Sequence, residues 1–234
     1  MKTIFTTLFL SLLSLTLCAQ LDYTKLLNAY LEENMTIWSE DLHQETQRDD
    51  LSLIEKSELA NYLYAYLAYV SSVENEKEYA YFEPYFLQYI QSMQKNKETR
   101  ILSNIYHCYY YTLGISRKPW NAMWYGHKAQ KYLDKAAAMN LTHPLVLGCQ
   151  GDMYFYKPSL FGGDKKLAVN YYVETLKAFE DSELSDAYAW NICYFKLSLI
   201  QAYSKTGQTK KAHNLYETLK KAHPNYKFLQ THSY

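Results

Sequence analysis

The chain has 234 residues, and its 24 Lys and Arg balance 24 Asp and Glu. Such a balance gives no global field to draw in nucleic acid or an anionic membrane, so both are set aside as partners. Gly (7) and Pro (5) are too scarce for a sandwich, a barrel or a disordered chain, whereas 26 Tyr suit thin layers of packed helices, rings buried and hydroxyls wet.

Residues 1–19 read as a secretory signal peptide. Lys2 supplies the positive start, Ile4 to Leu17 the apolar stretch, and Ala19 a small residue before a cut ahead of Gln20. The stretch is too short to stay in a membrane as a helix. Lipid attachment at Cys18 is the rival, disfavoured because large Leu17 precedes it, so an exported product, periplasmic or secreted, is expected.

Helical spacing then runs through almost the whole chain. From Leu21 to about Gln44, Leu26, Leu27, Tyr30, Leu31, Met35 and Trp38 mark one face; around 51–73, Leu59, Leu63, Tyr66, Leu67 and Val70 do the same. Tyr79, Phe82, Phe86, Tyr89, Ile90 and Met93 follow, and Pro84 predicts that their helix begins near Glu83. A helix from about Thr99 is expected to end at Gly114, and another runs from Pro119 to about Met139. After His143-Pro144 a helix reaches about Tyr156. The loop Lys157 to Gly163 follows, and Asp164 starts a helix to about Glu180. Ser185 or Asp186 opens the next, ending near Lys205. Gly207 breaks the chain, and Thr209 starts the last full helix, to about Ala222.

Residues Cys193 to Tyr226 carry Leu199, Tyr203, Gly207, Ala212, Tyr216 and Pro224 across 34 positions. This pattern resembles a tetratricopeptide repeat, with two departures: Lys196 stands where the family usually has Trp, and Ile200 where it has a small residue. Looser copies place Ala129, Leu133, Ala136 and Pro144, then Ala168, Tyr172 and Thr175, with the key alanines 39 and 44 residues apart. The resemblance implies an all-α fold, a right-handed solenoid of antiparallel helix pairs. It divides the chain into a leader (1–19), an N-terminal helical region with a degenerate repeat (20–95) and the repeats proper (96–234). The run Phe161 to Ala168 is similar to a loop in bacterial envelope tetratricopeptide-like proteins, among them the periplasmic subunit of tripartite solute transporters.

Chemistry is sparse. There is no His-Glu-x-x-His, no paired Cys-x-x-Cys and no Gly-x-Ser-x-Gly, so neither a metal, a cofactor nor a catalytic residue is expected. His107 and Cys108 adjoin, but helical neighbours point about 100° apart. Gly162-Gly163-Asp164 could cradle an anion; turning the chain and capping a helix is the stronger reading, because Asp164 would repel an anion. Three cysteines, Cys108, Cys149 and Cys193, follow the leader, and their pairing stays open. Aromatic clustering is the feature left over: packing takes some rings, and any surplus on a concave helical face would suit a partner. Tyr109, Tyr110, Trp120, Trp124, Tyr154, Phe161, Gly162 and Gly163 are the candidate binding residues. The function expected is a non-enzymatic exported scaffold that holds a protein or peptide in a helical groove. The alternative is a small-ligand-binding accessory subunit of an envelope transport system.

Overall fold

The computed structural model describes residues 21–182, 184 and 186–234; the leader read at 1–19, Cys18 and Ser185 lie outside them. Every regular element among the described residues is helical: α1 (Tyr23–Leu31), α2 (Met35–Glu45), α3 (Leu53–Ser72), α4 (Glu76–Met93), α5 (Arg100–Arg117), α6 (Ala122–Met139), α7 (Pro144–Tyr156), α8 (Lys165–Glu180), α9 (Ala189–Lys205), α10 (Thr209–Ala222) and α11 (Lys227–Thr231). Short 3-10 turns precede α6, α8 and α9.

Local chemistry sets the ends. Ser52 and Glu55 form a reciprocal capping box on α3, and Asp164 accepts from the N–H groups of Lys166 and Leu167 at the start of α8, at 2.8 and 3.1 Å. Three expectations are corrected. The stretch from Leu21 to Gln44 is two helices, because Glu33 turns left-handed at φ 54° and the Asn34 N–H bonds back to the Ala29 carbonyl at 2.8 Å. Pro84 lies inside α4 rather than opening it: Asn75 caps the helix two turns earlier, and burial of Tyr79 and Phe82 secures the extra turns. Gly114 continues α5 instead of ending it. Its missing side chain admits the Tyr125 ring of α6, which a Cβ there would overlap. The five-residue α11 was not foreseen at all.

Successive helices pack as hairpins: α3 on α4, α5 on α6, α7 on α8 and α9 on α10. The alanines singled out in the sequence sit at those crossings, Ala129, Ala136, Ala168 and Ala212 all at or near zero exposure. The buried residues from Leu26 to Ala202 form a continuous core, with a smaller cluster joining Leu31 to the C-terminal segment. The first helices of the pairs pack against one another. α3 lies on α5 and α5 on α7. α9 returns to α3 through a buried pair, Asn61 and Asn191, whose side-chain amides exchange hydrogen bonds at 2.8 and 3.1 Å. α1 closes the arrangement: Tyr30 contacts Trp190 of α9 and Tyr226 beyond α10, and Trp38 packs edge-on against Trp190.

Candidate binding site

Alternate members of a run of hairpins point the same way. The C-terminal ends of α3, α5, α7 and α9 therefore gather at one end of the molecule, with the connections that follow them. Contacts between connections tie that end together. Arg117 pairs with Glu76 at 2.6 Å and stacks 3.5 Å over the Tyr79 ring, joining the α5 end to the α4 start. Lys157 Nζ donates to Gln130 Oε1 at 3.3 Å, joining the α7 end to α6.

Two of these connections carry large apolar side chains that nothing covers. Trp120, Met123 and Trp124 are 78, 86 and 52 % exposed; Leu160 and Phe161 are 87 and 65 %. Trp124 lies six residues before Gln130, about 9 Å along the helix from the tether to Lys157, so the two groups share one end. Lys118, Lys128, Lys157 and Lys165 stand in the same connections and first turns; Lys128 approaches the Trp124 ring at 5.4 Å.

Tyrosines also surround one carboxyl, that of Asp152. Gly151 leaves room for the Tyr172 ring against α7, so the Tyr172 hydroxyl reaches Asp152 at 2.7 Å; the Tyr194 hydroxyl donates to the same oxygen at 3.1 Å. Tyr64 stacks on Tyr109 with centroids 4.6 Å apart. Burial pushes the Asp152 carboxyl up to about 7, and the two tyrosine hydrogen bonds pull the other way. Burial, with the nearby Asp152 charge next, raises the Tyr64 and Tyr194 hydroxyls well above their ordinary range.

The residues read from sequence divide sharply. Trp120, Trp124 and Phe161 share the exposed end. Tyr109 belongs to the core at 6 % exposure, Tyr110 donates to Glu83 at 2.8 Å, and Tyr154 stacks on Tyr171. Gly162 turns the chain at φ 90°, and Gly163 lies so close to the Lys157 carbonyl that no side chain fits. Sequence reasoning passed over Met123, Leu160 and Asp152. Asp152 had a signal, as the one acid in the apolar run from Pro144 to Tyr156.

The other histidines and cysteines singled out by chemistry are already engaged. The His107 ring bonds the Ser103 carbonyl at 2.8 Å while Cys108 points into the core, so the two do not cooperate. His143 caps α7, its Nδ1 accepting the Leu145 N–H at 3.2 Å; burial lowers its pKa to about 4, so a neutral ring faces the helix N-terminus. Cys193 is 3.7 Å from His223, but burial raises its thiol to about 11, the reverse of activation. A cleft of about 620 Å³ beside α8 has Lys166, Glu174, Tyr203 and Lys211 in its walls, a mixed-charge surface. Among the described residues, no group of His, Cys, Asp or Glu is arranged to hold a metal ion, and no helix is long and apolar enough to cross a membrane.

No protein-family model and no curated protein sequence matches the chain. Among solved structures, the HusA haemophore from Porphyromonas gingivalis is similar, with a TM-score of 0.57 and 15 % identity, over 79 % of this chain and 94 % of that one. At that identity the likeness is one of fold.

Proposed function

We propose that the chain is an exported, non-enzymatic binding protein that presents its aromatic end to a protein partner. One observation carries the reading: Trp120, Met123, Leu160 and Phe161 project from two neighbouring connections and are largely exposed. Covering such a side chain is worth about 1.5–3 kcal/mol, so several of them left uncovered favour association. The complementary surface is an apolar hollow with an acidic rim, because lysines flank the rings. The finer fold reading, a right-handed stack of tetratricopeptide-like pairs, belongs to the same proposal and is supported by the buried alanines of α6, α8 and α10. A groove along the first helices is disfavoured as the docking site, since α3, α5, α7 and α9 pack on one another.

A second reading has its own support. The Tyr64, Tyr109 and Tyr194 rings around Asp152, and the shared fold with a haemophore, favour a small, flat, apolar ligand with polar edges, of which haem is one. One experiment addresses both. Affinity capture from envelope extract is run with the wild type and with Trp120→Ser plus Leu160→Ser, and both proteins are titrated with haemin by absorbance. The first reading expects specific partners lost in the variant and no saturable haemin binding. Identical partner lists overturn it, and saturable haemin binding at one equivalent moves the assignment to the second reading.

A further inference from the structure

Cys108 on α5 and Cys149 on α7 meet across the α5–α7 contact, their Sγ atoms 3.2 Å apart. Neither side chain reaches solvent. A disulfide needs its sulfurs at about 2.05 Å, so closure asks for about 1.1 Å of approach, within the reach of small χ1 rotations on two side chains that already face each other. Cys193 is elsewhere, beside His223 at the other end of the α9–α10 pair. The geometry thus singles out one pair from the three possible.

We infer that Cys108 and Cys149 form a structural disulfide when the chain folds in the presence of a disulfide oxidant, leaving Cys193 as a free thiol. The chemistry is two successive exchanges. One cysteine thiolate attacks a sulfur of the oxidant, a small-molecule or protein disulfide, and expels its other half as a thiolate. The second cysteine thiolate then attacks the mixed disulfide, the Cys108–Cys149 bond forms, and the remaining half leaves. The two protons lost by the cysteines end on the departing thiolates, so the oxidant is reduced to two thiols as the protein loses two hydrogens.

Burial dictates when this happens. In the finished fold neither thiol is accessible, and the hydrogen bond with Cys108, with burial next, holds the proton on Cys149. Exchange therefore belongs to the folding chain, before α5 and α7 close. A chain folded under reducing conditions keeps both thiols and resists later oxidation; a chain folded with oxidant does not. The pairing stands on geometry alone. Only the claim that the natural chain meets an oxidant rests on the exported reading.

The test refolds the chain from Gln20 out of denaturant in a buffer of reduced and oxidised glutathione. Residual thiols are then alkylated under denaturing conditions, and intact mass and a non-reduced peptide map are read. The expected result is a chain two hydrogens lighter before alkylation, a linked peptide joining Cys108 to Cys149, and alkylation at Cys193 alone. Cys193→Ser should give the same link. Three alkylated cysteines, or Cys193 in the linked peptide, in a sample whose circular dichroism shows the native helix content, overturns the pairing. A parallel sample from a secreting host separates the two claims: thiols reduced there but linked after refolding count against export and for the pairing.

Discussion

Replacing Asp152 by Asn tests whether the surrounding tyrosines hold a carboxyl against its preference. The Tyr172 and Tyr194 hydroxyls both donate to one oxygen of Asp152, and Asn presents a carbonyl oxygen to the same two donors, so packing should survive. Burial raises the wild-type carboxyl from its ordinary 3.8 to about 7. A group whose pKa is raised by folding stabilises the fold fully below its unfolded value and ceases to do so as pH rises through its folded value. Stability of the wild type should therefore fall between about pH 4 and 8. Each pH unit of that gap is worth about 1.4 kcal/mol, which gives about 4 kcal/mol as an upper figure, because the side chain keeps some solvent contact. His143 works in the opposite sense: burial lowers its pKa to about 4, so its contribution is complete above 6.5 and is lost as pH falls. Urea unfolding by circular dichroism, run on wild type and Asp152→Asn across about pH 4.5 to 8.5, cancels the His143 effect in the difference. The advantage of Asp152→Asn over the wild type should be smallest at the acid end, about 1 kcal/mol, and grow to at most about 4 kcal/mol at the alkaline end. A difference that is flat with pH, or that grows towards acid, refutes the reasoning.

Three further outcomes follow from particular contacts and are read by the same unfolding assay. Glu74 holds a left-handed conformation, φ 56°, at the end of α3, and Glu74→Gly should stabilise the chain by about 0.5–1 kcal/mol. Gly148 faces the buried Phe195 ring, which a Cβ would overlap, so Gly148→Ala should cost about 1–3 kcal/mol. Asn61→Ala strands the buried Asn191 amide and should cost about 1–3 kcal/mol, whereas adding Asn191→Ala should cost less than the two single losses together.

The helices were legible because each hides one apolar stripe, and the period of that stripe is written along the chain. Crossings were legible where a small residue repeats, as at Ala129, Ala168 and Ala212. What escaped notice was structure specified by a partner far away in sequence. The α1 end is a left-handed turn at Glu33, where no glycine announces it. Gly114 looks like a stop, yet its use is to admit Tyr125 from the next helix. Tyr109 and Trp124 read alike as aromatics on amphipathic helices. The first meets Tyr64 of α3 and is buried, while the second meets the rings of Tyr111 and Tyr125 and a lysine and stays half exposed. Asp152 is visible as an acid in an apolar run, but its two tyrosine donors come from α8 and α9, 20 and 42 residues on.

The meeting of the N-terminal and C-terminal helices also bears on where we propose a partner docks. A stack of helix pairs leaves an apolar flank bare at each extremity, and a linear stack covers both with polar capping helices. Here each extremity covers the other. Tyr30 of α1 lies between Trp38, Trp190 and Tyr226, and Asn225 and Lys227 reach Glu32 and Glu33 at 3.1 and 3.7 Å. The closure brings α9 to α3, where Asn61 and Asn191 lock. The connections at the C-terminal ends of the first helices are not drawn in by it, because they lie at the end of the molecule, away from the Asn61–Asn191 contact. Trp120 and Leu160 stay exposed there, which is why we propose that end as a docking place for a partner.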